Sequence, residues 1–114
     1  MKAIFINAAD RKVEEIEIEN DLHAFYDKIG CRVVQLVSYK DENLVCDEEC
    51  RLKDWTAGFQ LADWRITGNA ILVADDEEGE FTDTKMTAEA IAEKVRFFGR
   101  EENLGKPHMS IYAF

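Results

Sequence analysis

The sequence predicts an α+β fold, with residues 1–114 forming a single domain built on a mixed or mainly antiparallel sheet of about five strands with two helices. Three observations carry this prediction. Strand-like runs come in pairs joined by short polar turns, only two segments repeat apolar residues at helical spacing, and the repeated strand-helix-strand alternation of a doubly wound sheet is absent. With 114 residues, 46% of them hydrophobic, and one proline, the chain can bury a core without a disulfide or metal framework.

Residues 2–6, Lys-Ala-Ile-Phe-Ile, read as a strand and residues 12–19 as its hairpin partner, with the polar residues 7–11 supplying the reversal. Ile16 and Ile18 alternate with Glu15, Glu17 and Glu19, which predicts one buried face and one wet, carboxylate-rich face. Val13 is out of that phase and suggests a bulge. Asn20 is placed to cap a helix with Asp21 in its first turn; Leu22, Phe25, Tyr26 and Ile29 form its apolar stripe, and Gly30 ends it. A second hairpin follows, from residues 32–39 through a turn at 40–43 into Leu44, Val45 and Cys46. Residues 47–65 obey no single period. Trp55, Phe59 and Ala62 have helical spacing, Phe59 and Leu61 alternate, and Gly58 weakens both, so the segment reads as irregular. Residues 66–74 read as one strand closed by an acidic turn at 75–79. Thr87 caps a second helix with the stripe Ala88, Ile91, Val95 and Phe98, stopped at Gly99 or Gly105. Residues 106–114 are expected to be a loosely held tail or an edge strand.

Charge is the most informative bulk property. Against 14 basic residues stand 24 acidic ones, a net charge of -10, and the surplus is localised. Residues 41–54 hold six acids and two bases, residues 75–83 hold six acids and no base, and the rest of the chain holds twelve of each sign. Without a basic stripe to displace counterions, direct nucleic-acid binding is not expected. The longest apolar run is five residues, 70–74, far short of the roughly twenty needed for a membrane span. Three cysteines and no signal-peptide core point to reduced thiols and a cytoplasmic protein.

Four features in order resemble domain of unknown function number 3846. They are the opening Met1-Lys-Ala-Ile-Phe-Ile, the acidic strand leading into Asn20-Asp21-Leu22, the segment Leu44-Val-Cys-Asp-Glu-Glu49, and Ile66-Thr-Gly-Asn-Ala-Ile-Leu-Val73 followed by an acid-glycine turn. The resemblance covers roughly residues 1–95. It implies a small stand-alone protein of bacteria, plasmids or phages, and it brings no activity and no catalytic residue with it. Cys50 stands close to where such proteins place a glycine after the aspartate-glutamate pair, and Trp55-Thr-Ala-Gly-Phe-Gln60 replaces their polar, asparagine-containing segment.

The candidate chemistries are thin. Cys46 and Cys50 would need Cys31, His23 or His108 to complete a zinc site, and none has paired ligand spacing, so no metal or other cofactor is expected. An EF-hand count from Asp75 puts Gly79 fifth and Met86 twelfth, which fails the glycine-six and glutamate-twelve requirement. Ser38 and Ser110 lie in no nucleophile motif, and the six glycines have no phosphate-cradling spacing. The expectation is therefore a non-enzymatic protein acting by contact with a partner protein. Asp47, Glu48, Glu49, Asp75, Asp76, Glu77, Glu78, Glu80 and Asp83 are its expected negative interaction face, shaped to occupy a basic nucleic-acid-binding groove as acidic anti-defence proteins do. The alternative is a small-ligand module whose contact surface is Trp55, Phe59 and Trp64, residues that equally suit the end of a core.

Overall fold

The computed structural model describes residues 1–47 and 57–99. Within them the chain runs β1 (Lys2–Asn7), β2 (Lys12–Glu17), α1 (Leu22–Ile29), β3 (Val34–Tyr39), β4 (Glu42–Asp47), β5 (Ala57–Leu61), β6 (Trp64–Thr67), β7 (Ala70–Asp75), β8 (Phe81–Thr82), α2 (Ala88–Lys94) and β9 (Arg96–Gly99). The fold is α+β, and every strand pairing among the described residues is antiparallel. The described strands form two sheets. The larger has the order β2-β1-β7-β4-β3 with β8 continuing along β7, and the smaller has the order β6-β5-β9.

The runs Ala-Ile-Phe-Ile in β1, Leu-Val-Cys in β4 and Ala-Ile-Leu-Val-Ala in β7 lack polar alternation because the large sheet is covered on both faces. Ile4, Ile6, Leu44, Cys46 and Leu72 pack on one side against Phe59, Leu61 and Ile66 of the small sheet and Ile91 of α2. Ala3, Phe5, Val45, Ile71 and Val73 pack on the other against Phe25 and Ile29 of α1. Lys28 lays its ammonium 4.8 Å from the centre of the Phe5 ring, covering the edge of that second core. The result is three layers, α1, the large sheet, and the small sheet with α2.

This double cover explains Val13. The β1–β2 register runs unbroken from Lys2 opposite Glu17 to Asn7 opposite Lys12, so there is no bulge. Val13 opposite Ile6 faces the small-sheet side, while Ile16 opposite Ala3 faces α1. Val13 and Ile16 are each half-buried on their own face of the sheet, while Glu14, Glu15 and Glu17 of the same strand stay exposed.

Other boundaries differ from expectation for local reasons. Asp21, not Asn20, caps α1, accepting the His23 N–H at 3.0 Å, and Gly30 closes the helix at φ +86. Leu22 stays 51% exposed and leaves the stripe to Phe25 and Ile29. The β3–β4 reversal is only Lys40 and Asp41, both at positive φ as a two-residue hairpin with primed-turn twist requires. Of the irregular segment, Asp47 ends β4 and residues 57–65 belong to the β5–β6 hairpin. The expected strand over 66–74 is two strands in two sheets, parted at Gly68 (φ +94) and Asn69, whose side chain accepts the Ala8 N–H at 2.8 Å. Thr87 does cap α2, but the helix ends at Lys94, and Phe98 belongs to β9 instead of to the helical stripe. Val95 is already extended, with φ -81 and ψ 136. The expected tail, residues 106–114, lies outside the described residues, and no described helix is long and apolar enough to cross a membrane.

Gly58 marks the tightest contact in the small sheet. A Cβ there would stand 2.4 Å from the Ile66 carbonyl oxygen and 2.8 Å from the Phe98 ring, which lies across the glycine with the Arg65 guanidinium 4.3 Å from its ring centre. Gly58→Ala must push β6 or the Phe98 ring away, an overpacking cost of about 2–3 kcal/mol. A lowered urea midpoint at unchanged slope is the expected result, and a midpoint equal to wild type would remove the close approach from this description of the small sheet.

Candidate functional site

The acidic segment after β7 is an ordered turn. The Asp76 carboxylate accepts the backbone N–H of Glu78 at 2.9 Å and of Glu80 at 3.0 Å through one oxygen. The Asp76 N–H donates to the Glu80 carbonyl at 2.8 Å, and the Gly79 N–H donates to the Asp76 carbonyl at 3.0 Å. Aspartate suits this position because its short side chain reaches backbone N–H groups two to four residues on, and Gly79 takes the positive φ of +84 that closes the loop. Asp75, Glu77, Glu78 and Glu80 project into solvent from that frame.

Two anchors fix the turn to the core. Phe81 of β8 pairs with Asp75 and packs its ring on Phe25, with centroids 5.4 Å apart, while its carbonyl accepts the Asn20 side-chain N–H at 3.3 Å. Downstream, Asp83 accepts the Lys2 N–H at 2.8 Å, and the Thr84 N–H donates to the Lys2 carbonyl at 2.9 Å. The second anchor is Glu42, only 5% exposed. One of its carboxylate oxygens accepts the Thr84 hydroxyl at 2.5 Å and the other accepts the Lys85 N–H at 2.9 Å. The Thr84 hydroxyl in turn accepts the Met86 N–H at 3.1 Å. A carboxylate left unbonded at this depth would be costly, so Glu42 and Thr84 hold each other in place.

The expected acidic residues divide accordingly. Asp75, Glu77, Glu78, Glu80 and Asp83 are exposed at one end of the large sheet, where Asp75, Asp76, Glu77, Glu78, Thr82 and Lys85 line an open cleft of about 460 Å³. Asp76 is part of the turn's frame, and Asp47 does not join the group. Asp47 is wholly buried, and because Cys46 lies opposite Ala70 it stands at the other end of β7, about 20 Å from Asp75 at the rise of a strand. A single face drawn from segments 41–54 and 75–83 is corrected to this extent. Asp41 takes Asp47's place, since Asp41 and Asp75 each lie two residues beyond the paired Asn43 and Val73. Glu48 and Glu49 lie outside the described residues.

The aromatic alternative loses its centre. Phe59 has no exposed surface and is a core residue between the sheets, so it offers no contact to a ligand or partner. Trp64 is half-buried against the same core and donates its indole N–H to the Ser38 carbonyl at 2.9 Å. Ser38 lies beside the hydrogen-bonded Tyr39 and Glu42 pair that closes the hairpin, so its carbonyl points away from β4, where it meets the indole. Trp55 lies outside the described residues, as do Cys50 and His108. The buried Cys46 thiol donates to the Gln35 carbonyl at 3.7 Å, and His23 stands edge-on to Tyr26 on α1. Among the described residues no group of three or more His, Cys, Asp or Glu is arranged to hold a metal ion.

Sequence reasoning missed Glu42 and Asp76 as structural acids. The signal for Asp76 was present in the Asp-x-Glu-Gly spacing of a side-chain-closed turn; Glu42 carried none, because its partners lie 42 and 43 residues away. Asp76→Ala is expected to cost about 1–2 kcal/mol through the loss of two charge-assisted hydrogen bonds to the turn's backbone, while Glu77→Ala stays within about 0.5 kcal/mol of wild type. Equal urea midpoints for the two variants would contradict the division between frame and display.

A family model described as "Domain of unknown function (DUF3846)" matches residues 1–96 of the chain. No curated protein and no solved structure matches it.

Proposed function

The chain belongs to the DUF3846 family, and we propose that it acts by contact rather than by chemistry, docking its acidic end against a basic surface of a partner protein. The observation that carries this reading is the turn itself. Asp75, Glu77, Glu78 and Glu80 project from a backbone already hydrogen-bonded into one shape, so binding need not freeze a mobile loop. Asp41 and Asp83 extend the same negative end. Carboxylates held this densely attract cationic side chains over about a Debye length, roughly 8 Å at physiological salt, which favours fast, salt-sensitive association.

The finer reading concerns the partner. The phage and plasmid context implied by the family resemblance, together with the charge, favours a host protein whose nucleic-acid groove the acidic end occupies. A groove lined by lysine and arginine is complementary to carboxylates and phosphates for the same electrostatic reason.

Replacing Asp75, Glu77 and Glu78 by lysine, with Asp76 left in place, moves the net charge by six units, from -10 to -4. The variant is expected to fold with an unchanged thermal midpoint and to lose the protein that wild type captures from host lysate. Duplex DNA should release that captured protein from wild type, as should salt. Equal capture by the folded variant would refute the acidic end as the contact surface. Capture indifferent to DNA would refute the groove reading and leave the contact.

A further inference from the structure

We propose that the cleft bounded by the two hairpin turns and the end of α2 is a binding site for a small organic phosphate of nucleotide size. Tyr39, Lys40, Gln60, Ala62, Lys94 and Arg96 line an opening of about 450 Å³, within the range of about 300–1,000 Å³ typical of small-ligand pockets. Three of these six residues are cationic in a chain of net charge -10, and no described carboxylate lines the cleft. Asp41, Asp63 and Glu93 are the immediate chain neighbours of Lys40, Ala62 and Lys94, and none of them contributes to the lining.

The three cations come from two parts of the chain, the β3–β4 turn and the junction of α2 with β9, and the fold fixes each. Lys40 occupies the first position of the two-residue β3–β4 turn, at φ +47, with its ammonium 5.8 Å from the centre of the buried Tyr39 ring. Lys94 is the last residue of α2, where the helix terminus favours positive charge. Arg96 opens β9 directly opposite Gln60 in the β5–β9 register, which sets the guanidinium and the amide side by side. Gln60 donates to the Ala62 carbonyl at 3.4 Å across the β5–β6 turn, which keeps its amide at the cleft.

Gathering three positive charges around a concavity is unfavourable unless an anion relieves the repulsion. A phosphate fits this set: the arginine fork engages two oxygens while the lysines act as point charges on the remainder. The overall negative field opposes anion binding, and Asp41 and Asp75 put the acidic turn at the same end of the sheet. Any saturable affinity must therefore be local to the cleft. This inference stands apart from the partner-docking reading, because the charges it uses are of opposite sign and on different residues.

The test is calorimetric titration of the full chain with pyrophosphate and with ATP at low salt, with adenosine as the uncharged control. Saturable binding is expected for both phosphates, with a dissociation constant at or below about 1 mM, and none for adenosine. Lys94→Gln and Arg96→Gln, both exposed positions, should each weaken ATP binding at least about tenfold, equivalent to about 1.4 kcal/mol, without moving the thermal midpoint. Lys12→Gln, on the far edge strand β2, should leave binding unchanged, and the lysine variant of Asp75, Glu77 and Glu78 should bind at least as well as wild type. Absence of saturation at about ten times that concentration, or equal weakening by Lys12→Gln, overturns the site. Adenosine binding as tightly as ATP overturns phosphate recognition.

Discussion

Strand β7 has no wet side. Its Ile71 and Val73 face α1, its Ala70 and Leu72 face the small sheet, and both of its edges carry antiparallel neighbours, β1 and β4. A backbone this dehydrated must satisfy every N–H and carbonyl within the sheet, so the neighbours on both edges are obligatory and their registers leave no slack. A slip of one residue would exchange Ile4, Leu72 and Leu44 with Phe5, Ile71 and Val45, sending large side chains into the wrong core.

The charged turns hang from that strand and share its constraint. The acidic turn leaves the end of β7 and returns as β8 on the same strand, so carboxylates that would otherwise ride on a floppy loop are displayed from the stiffest element of the fold. The Glu42 and Thr84 contact ties the return path to the start of β4, the neighbour on the other edge. The cleft between hairpin turns has the same origin: β3 lies beside β4 in the sheet, the small sheet packs on β7 and β4, and the Trp64 indole pins the two sheets together at Ser38. Charge of both signs is thus held at one end of the scaffold by contacts of the described core.

What could be read from the sequence was whatever depends on near neighbours. The β1–β2 hairpin, α1 with its Gly30 stop, the Thr87 cap and the acidic turn all announce themselves within ten residues. The second sheet did not, because Phe59 and Leu61 look like a helix-strand ambiguity until β9, over thirty residues on, supplies the third strand. Continuous apolar runs also hid the number of layers, since a strand buried on both faces has no period to read. The acidic turn was visible as composition, whereas the separation of Asp76 from its neighbours, and the burial of Asp47 and Glu42, required the hydrogen bonds. Lys40 is unremarkable in the sequence and joins Lys94 and Arg96, which flank Val95, only through the fold.

Native-state hydrogen exchange tests the central claim most directly, because it reads the stiffness of β7 and of its turn in one experiment. If β7 is the doubly covered strand from which the turn hangs, the amides of Ile71, Leu72 and Val73 exchange only through global unfolding, and those of Glu78 and Glu80, bonded to Asp76, exchange well below the rate of open loop. Exchange of the β7 amides as fast as those of the edge strand β2, or of Glu78 and Glu80 at the rate of unstructured chain, would contradict the account.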